Sequence, residues 1–89
     1  MIPSPTQQHA IDAKLNFMLG AEVFDQLFFG FVCGPVVEYT VRVFVETEEK
    51  AAIIESEYSW HVAVIVESVM KTPVKFVNVL PKDPSDRRV

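Results

Sequence analysis

The sequence predicts a two-layer α+β domain in which two helices back a four-stranded, mainly antiparallel sheet, in the order α-β-β-α-β-β. Composition favours strands, since fifteen valines and five isoleucines stand against four leucines, and β-branched side chains pack well on a pleated surface. The apolar periodicity also changes along the chain, from helical spacing near the start to strict alternation in the middle. A chain of 89 residues holds one core, so we expect a single domain over residues 1–81 and a flexible tail over 82–89.

The first element is predicted to be a helix over residues 5–19. Ser4 is a suitable N-cap, Pro5 takes the first helical position, and Gln7 completes a capping box. The apolar residues that follow recur at helical spacing as far as Gly20, a residue type that commonly ends helices. The helical pattern also continues beyond this glycine, so a longer helix stays open, because one interior glycine costs only about 1 kcal/mol.

Two strands are expected next. Residues 27–33 are apolar throughout, which does not separate a buried strand from a buried helix, but the aromatic enrichment and the Gly-Pro pair that follows favour a strand. A tight turn at 34–36 then leads into a strand over 36–46, where valines alternate with polar residues. Phe44 lies among those polar residues, which indicates that the second face of this strand is partly covered by a helix or by a partner chain.

The second helix is expected to begin after Thr47, whose hydroxyl caps it, and to end near Tyr58. The β-branched run at 62–66 predicts a third strand, and residues 74–80, which lie between two prolines, predict a fourth. A single helix over residues 48–70 is the competing interpretation, against which the β-branched run argues.

The composition argues against several function classes. Eight Lys and Arg against twelve Asp and Glu give a net charge of −4, whereas a surface that follows nucleic-acid phosphates shows a basic excess, so we expect no nucleic-acid partner. The longest nearly uncharged run, at 27–37, is shorter than the roughly 20 residues that span a bilayer, so we expect no membrane contact. A single cysteine forms no internal disulfide, and no signal-peptide pattern is present, which favours a cytoplasmic location.

No catalytic residue, metal site or cofactor is predicted. Cys33-Gly34-Pro35 resembles part of the Trp-Cys-Gly-Pro-Cys motif of thioredoxin-like redox proteins, which implies redox chemistry, but the tryptophan and the second cysteine are missing. We therefore expect Cys33 to be a buried thiol that packs as a small apolar side chain. His9 and His61 lie far apart in the sequence and lack the spacing of a zinc site.

The apolar excess carries the functional prediction. Hydrophobic residues make up 49% of the chain, and a domain of this size buries only roughly 60–65% of its unfolded surface. Some phenylalanines and valines therefore face outward unless a second copy covers them. We expect a non-catalytic interaction module that self-associates as a two-fold dimer through an apolar sheet face or edge, with the first helix or residues 28–32 in the contact. The candidate contact residues are Phe28, Phe29, Phe31, Phe44 and Trp60.

Two other functions stay open at the level of the sequence. In the first, the domain binds a small molecule or has a minor enzymatic role, in a pocket lined by Tyr39, Arg42, His61 and Glu67. Arg42 is the one basic residue in a strongly β stretch, and its guanidinium suits a carboxylate, a phosphate or a cross-strand glutamate. In the second, the small acidic chain is an inhibitor or an immunity-type protein that blocks another protein.

Overall fold

A computed structural model of the chain describes residues 2–82. It contains three strands, with β2 in the centre of the sheet, antiparallel to one neighbour and parallel to the other. In chain order the elements are α1 (Pro5–Leu19), α2 (Ala21–Leu27), β1 (Val32–Val37), β2 (Thr40–Val45), α3 (Glu48–Glu57), α4 (Ser59–Met70) and β3 (Phe76–Pro81). The protein is α+β, but the predicted four-stranded, mainly antiparallel sheet with two helices is wrong, because this part of the chain forms a mixed three-stranded sheet and four helices. The predicted tail lies, apart from its first residue, outside the described residues.

The helix predicted over residues 5–19 is confirmed. The Ser4 hydroxyl accepts a hydrogen bond from the Gln7 N–H at 3.1 Å, and the Ser4 N–H donates to the Gln7 side chain at 2.8 Å. Both halves of the predicted capping box are therefore formed. Gly20 ends the helix with a φ of +91°, which residues with a Cβ rarely adopt, and the chain resumes as the separate helix α2.

The strand predicted over residues 27–33 is wrong. α2 occupies the start of this segment, a turn follows, and β1 begins only at Val32. Phe28 lies at the centre of an aromatic cluster, with ring centroids 5.5 to 6.2 Å from those of Phe24, Phe31 and Tyr58. Phe28 and Phe31 are buried because their rings pack against neighbouring aromatic residues, whereas Phe29 is exposed in the turn.

The strand predicted over residues 36–46 is divided by a tight turn. Glu38 and Tyr39 form a two-residue loop, and the residues on either side of it pair with each other as the ends of β1 and β2. Both loop residues have positive φ, +50° and +68°, as a type I′ hairpin turn requires. The sequence lacks the asparagine or glycine that usually marks this turn.

The turn predicted at 34–36 is also wrong, because Gly34 and Pro35 lie inside β1 at a point where its pairing with β2 shifts register. A Cβ at Gly34 would lie only 2.6 Å from the backbone oxygen of Arg42 and 3.1 Å from the ring of Phe44. Phe44 is half-buried across this glycine, so β1 of the same chain covers the aromatic residue on the polar side of β2.

The strand predicted over residues 62–66 is wrong, because this run lies within α4. Thr47 caps α3 as predicted, accepting a hydrogen bond from the Lys50 N–H at 3.2 Å. α3 ends at Glu57, next to the predicted Tyr58, which is its C-cap, and α4 starts at Ser59. The competing interpretation of one helix over 48–70 is therefore close to the structure, except for the break at this tyrosine.

Tertiary packing explains why α4 is helical despite its β-branched residues. Its buried positions follow helical spacing: Val62, Ile65, Val66 and Met70. Burial of this stripe outweighs the modest helix propensity of valine and isoleucine, which differs from that of alanine by less than about 1 kcal/mol per residue. No helix within residues 2–82 is long and apolar enough to cross a membrane.

The helices cover one face of the sheet. Val41, Val43 and Val45 of β2 are fully buried on this inner face, whereas Arg42, between them, is exposed on the outer face. β3 confirms the strand predicted at 74–80, with slightly shifted bounds, and contributes Phe76, Asn78 and Leu80 to the outer face through its register with β2. The outer face is therefore partly apolar and lies open among the described elements.

The edge of β1 is closed by α1. The Gln8 carboxamide accepts a hydrogen bond from the Cys33 N–H at 2.7 Å and donates to the Phe31 carbonyl at 3.3 Å, so it uses the groups that a further strand would need. It also donates to Asp12 at 3.0 Å. Pro35, farther along this strand, has no N–H to donate. A side chain and a proline therefore take the place of a neighbouring strand.

Replacing Gln8 by alanine is expected to lower the free energy of unfolding by about 1–3 kcal/mol, because the N–H of the buried Cys33 loses its partner. Gln26→Ala is the matched control, since Gln26 is exposed on α2 and its loss should change stability by less than about 0.5 kcal/mol. Urea denaturation followed by far-ultraviolet circular dichroism measures both. Equal effects of the two substitutions would contradict the closure of β1 by Gln8.

Replacing Glu38 by asparagine is expected to raise the free energy of unfolding by about 0.5–1 kcal/mol, because asparagine tolerates positive φ better than glutamate does. Glu55→Asn, on an exposed position of α3, should act in the opposite direction, since asparagine has the lower helix propensity. Thermal unfolding compares the two variants. A loss of stability in Glu38→Asn would contradict the type I′ turn.

Candidate functional site

Three large apolar side chains, Phe17, Met18 and Val64, are exposed where α1 meets α4. A groove of about 490 Å³ lies between these helices and is lined by Ala13, Lys14, Phe17, Met18, Val64, Ile65 and Ser68. Phe17 is 92% exposed and Met18 is 48% exposed, so both project from the rim of the groove into solvent. Most of this lining is apolar, and Lys14 supplies its one charged group.

A second groove lies between α4 and the beginning of β3. It is lined by Ser59, Trp60, Ala63, Val64, Glu67, Val74, Lys75 and Val77. Trp60 is 72% exposed at its rim. No residue of β1, β2 or α3 belongs to this lining. The groove therefore lies beside the edge of β3 that faces away from β2.

The two grooves form one continuous surface, because Val64 lines both. Trp60, Val64 and Ser68 recur every four residues and so share one stripe of α4, on the side opposite to its buried stripe. We call the two grooves and their rims the α1–α4–β3 surface. Large exposed apolar surfaces of this kind commonly mark contact sites.

The charged groups of the second groove interact with their own chain. The Glu67 carboxylate accepts a hydrogen bond from the Val74 N–H at 3.0 Å, which ties α4 to the segment before β3. The Lys75 ammonium lies 5.1 Å from the centre of the Tyr39 ring, a favourable cation–π distance. These contacts engage both charged groups within the chain, whereas the Trp60 ring at the rim of the groove is exposed.

Of the five contact residues predicted from the sequence, Trp60 alone lines the α1–α4–β3 surface. Phe28 and Phe31 are buried in the core of the chain. Phe29 is exposed in the turn that follows α2, and Phe44 is half-buried on the outer face of the sheet. Phe17, which was not predicted, could have been found from its position off the apolar stripe of the first helix.

The residues of the predicted ligand pocket lie apart. Arg42 is on the outer face of the sheet, in a shallow recess with Pro35, Val37 and Thr40, and Tyr39 is in the hairpin turn. His61 and Glu67 are on α4, which packs on the inner face. The sheet therefore separates the guanidinium from the imidazole and the carboxylate.

His61 lies among aromatic rings. Its ring centroid is 5.7 Å from that of Tyr58 and 5.9 Å from that of Trp60, and its buried Nδ1 has no hydrogen-bond partner within the described part of the chain. Over residues 2–82, no group of three or more His, Cys, Asp or Glu side chains is arranged to hold a metal ion. The surroundings of His61 are those of a side chain packed among aromatic rings.

Cys33 is a buried thiol within β1, as expected from the sequence. Burial, together with the smaller effect of the nearby Asp12 carboxylate, raises the pKa of the Cys33 thiol from 9.0 to about 12. The pKa of Asp12 is itself raised, mainly by burial. Since the thiolate is the reactive form, the fold keeps Cys33 unreactive at neutral pH, and a strand continues where the redox motif requires a helix to begin.

No protein-family model and no curated protein matches the sequence. Function therefore has to be inferred from the chain itself. The feature that exceeds what folding alone explains is the α1–α4–β3 surface, where Phe17 and Trp60 remain in contact with water.

Cys33 is expected to resist a thiol reagent at pH 8 in the folded protein and to react fully in urea, because only unfolding removes the burial that raises its pKa. A group whose pKa is raised by folding stabilises the fold below its unfolded pKa and loses that contribution as pH rises through the folded value. The stability difference between the chain and its Cys33→Ala variant should therefore shrink between pH 9.0 and about 12. Rapid labelling of the folded protein would contradict this assignment.

Proposed function

We propose that this protein is a non-catalytic interaction module of the cytoplasm that self-associates, as a two-fold dimer, through the α1–α4–β3 surface. One observation carries the proposal: Phe17, Met18, Val64 and Trp60 are exposed on one continuous surface that also contains two grooves, the first of them mostly apolar. The buried thiol of Cys33 is compatible with a reducing compartment.

The shape of the surface supports a second copy as its partner. Projecting rings and apolar grooves occur side by side, so a two-fold axis through the surface brings the rings of one copy to the grooves of the other. Tryptophan, phenylalanine and methionine are enriched in the cores of protein interfaces. Full burial of one such side chain contributes about 1.5–3 kcal/mol, so a few of them supply a large share of the association free energy.

The charge distribution also permits two copies to meet here. The chain has a net charge of −4, but many of its acidic groups lie on α2 and α3, at residues 22–25 and 48–57. The charged groups that line the α1–α4–β3 surface are Lys14, Glu67 and Lys75. When two copies meet through this surface, their acidic helices α2 and α3 do not need to pack against each other, so repulsion between these carboxylates is avoided.

The other two functions receive less support. A small-molecule site needs Arg42 and His61 on the same side of the sheet, and they lie on opposite sides. An inhibitor or immunity-type protein would use the same exposed surface on a foreign protein, but its partner would have to supply the complementary rings and grooves that this chain already possesses.

Light scattering coupled to size-exclusion chromatography tests the proposal. The chain is expected to form a dimer, and the double substitution Phe17→Ser, Trp60→Ser should raise the dimer dissociation constant at least about tenfold, since hot-spot aromatic residues contribute 2 kcal/mol or more. Phe29→Ser is the matched control, because Phe29 is 64% exposed but lies outside the surface. Unchanged circular dichroism shows that the fold is retained.

A chain that stays monomeric up to millimolar concentration would contradict self-association. If Phe29→Ser disrupts the dimer while the double substitution does not, the contact surface lies elsewhere. Dimers that are lost only in the double variant are the expected result.

A further inference from the structure

The outer edge of β3 carries unpaired hydrogen-bonding groups. The N–H groups of Phe76 and Lys82 donate to carbonyls on the β2 side, those of Tyr39 and Val45, at 3.0 and 2.7 Å. Since alternate residues of a strand direct their backbone groups to opposite edges, Val77 and Val79 direct their N–H and C=O groups outward. No strand within residues 2–82 pairs with them.

The two edges of the sheet differ. The edge of β1 is occupied by the Gln8 carboxamide, whereas β3 has no such contact among the described residues. Proteins commonly protect an open edge with a lysine or another charge, but the two lysines that flank β3 are directed elsewhere: Lys75 lies against the Tyr39 ring, and the Lys82 ammonium lies beside Gly30 and near Glu46. Residues 76–81 include no charged side chain. Pro81, the last outward-facing residue, has no N–H to donate, so the edge of β3 is open and uncharged at Val77 and Val79.

We infer that a second copy pairs with this edge, so that two β3 strands run antiparallel about a two-fold axis at Asn78. This inference rests on the proposed self-association and specifies its geometry. In this register Val77 of one copy faces Val79 of the other, and the two pairs exchange four backbone hydrogen bonds. The two three-stranded sheets then become one continuous sheet.

The side chains fit the same register. On the outer face, Phe76 of one copy lies opposite Leu80 of the other, which covers a ring that is 65% exposed in the single chain. Lys75 lies opposite Pro81 and not opposite another lysine, so no like charges face each other. β3 is therefore complementary to itself in backbone and in side chains, which favours a second copy over a foreign strand.

Edge pairing also uses the groove beside α4. A two-fold axis perpendicular to the sheet keeps both helical layers on the same face, so side chains on the inner face of one β3 approach the groove of the other. Trp60 projects at the rim of that groove. The β3 edge and the α1–α4–β3 surface then belong to a single interface.

Disulfide cross-linking of a substituted cysteine tests the inference. Asn78→Cys places two thiols at the two-fold axis, where directly opposite Cα atoms are about 4.5 Å apart, within disulfide reach. Arg42→Cys is the matched control, because Arg42 is exposed on the same face and pairs with Asn78 in the register of β2 and β3. Its counterpart in the second copy would lie about 14 Å away, too far for a disulfide. Cys33 is buried and does not compete.

Mild oxidation is expected to convert most of the Asn78→Cys chain to a covalent dimer and to leave Arg42→Cys uncross-linked. Phe76→Ser should weaken the dimer about tenfold without changing the fold, since Phe76 is exposed in the single chain. If Asn78→Cys fails to cross-link while light scattering still shows a dimer that Phe17→Ser, Trp60→Ser disrupts, edge pairing is wrong and the proposed function stands. A strict monomer overturns both, and equal cross-linking of Arg42→Cys overturns edge pairing in favour of stacked outer faces.

Discussion

The burial of one face of β2 beneath the helices is the interaction on which the rest of the molecule depends. Val41, Val43 and Val45 are fully buried there, and the helices that cover them leave the opposite face open. Among the strands of residues 2–82, β2 is also the only one with neighbours on both sides. The helices that complete the core therefore leave the outer face of the sheet and the edges of β1 and β3 uncovered by other strands.

The two edges are treated differently because α1 can reach only one of them. Gln8 lies early in α1, and its carboxamide replaces a strand beside Cys33, while Ile11 and Leu15 of the same helix are buried in the core. One helix thus closes an edge with its polar side and fills the core with its apolar side. β3 follows α4 at the other end of the sheet, where the described chain supplies no equivalent side chain, and its edge stays available for pairing.

Local chemistry made part of this fold predictable. The caps at Ser4 and Thr47 are formed by side chains within three residues of the groups they bind, so a short stretch of sequence contains the whole interaction. The hairpin turn was not predictable in this way, since Glu38 adopts positive φ without the residue types that favour it. The apolar excess indicated a contact surface, but which aromatic residues face outward depends on tertiary packing: Phe28 is buried and its neighbour Phe29 is exposed.

The apolar residues on the solvent side of α4 explain both why a strand was wrongly predicted at 62–66 and why a contact surface is proposed on this helix. A helix that is apolar all round shows no helical period, and such a helix is normally buried on all sides. The core buries only the side of α4 that carries Val62 and Val66, whereas Trp60 and Val64 face solvent. The apolar residues on the solvent side obscured the helical period and made the run resemble a strand. A single chain leaves these same residues exposed. In the proposed pairing, a second copy at the β3 edge would bring apolar surface to this side of the helix, so that Trp60 and Val64 would also be covered.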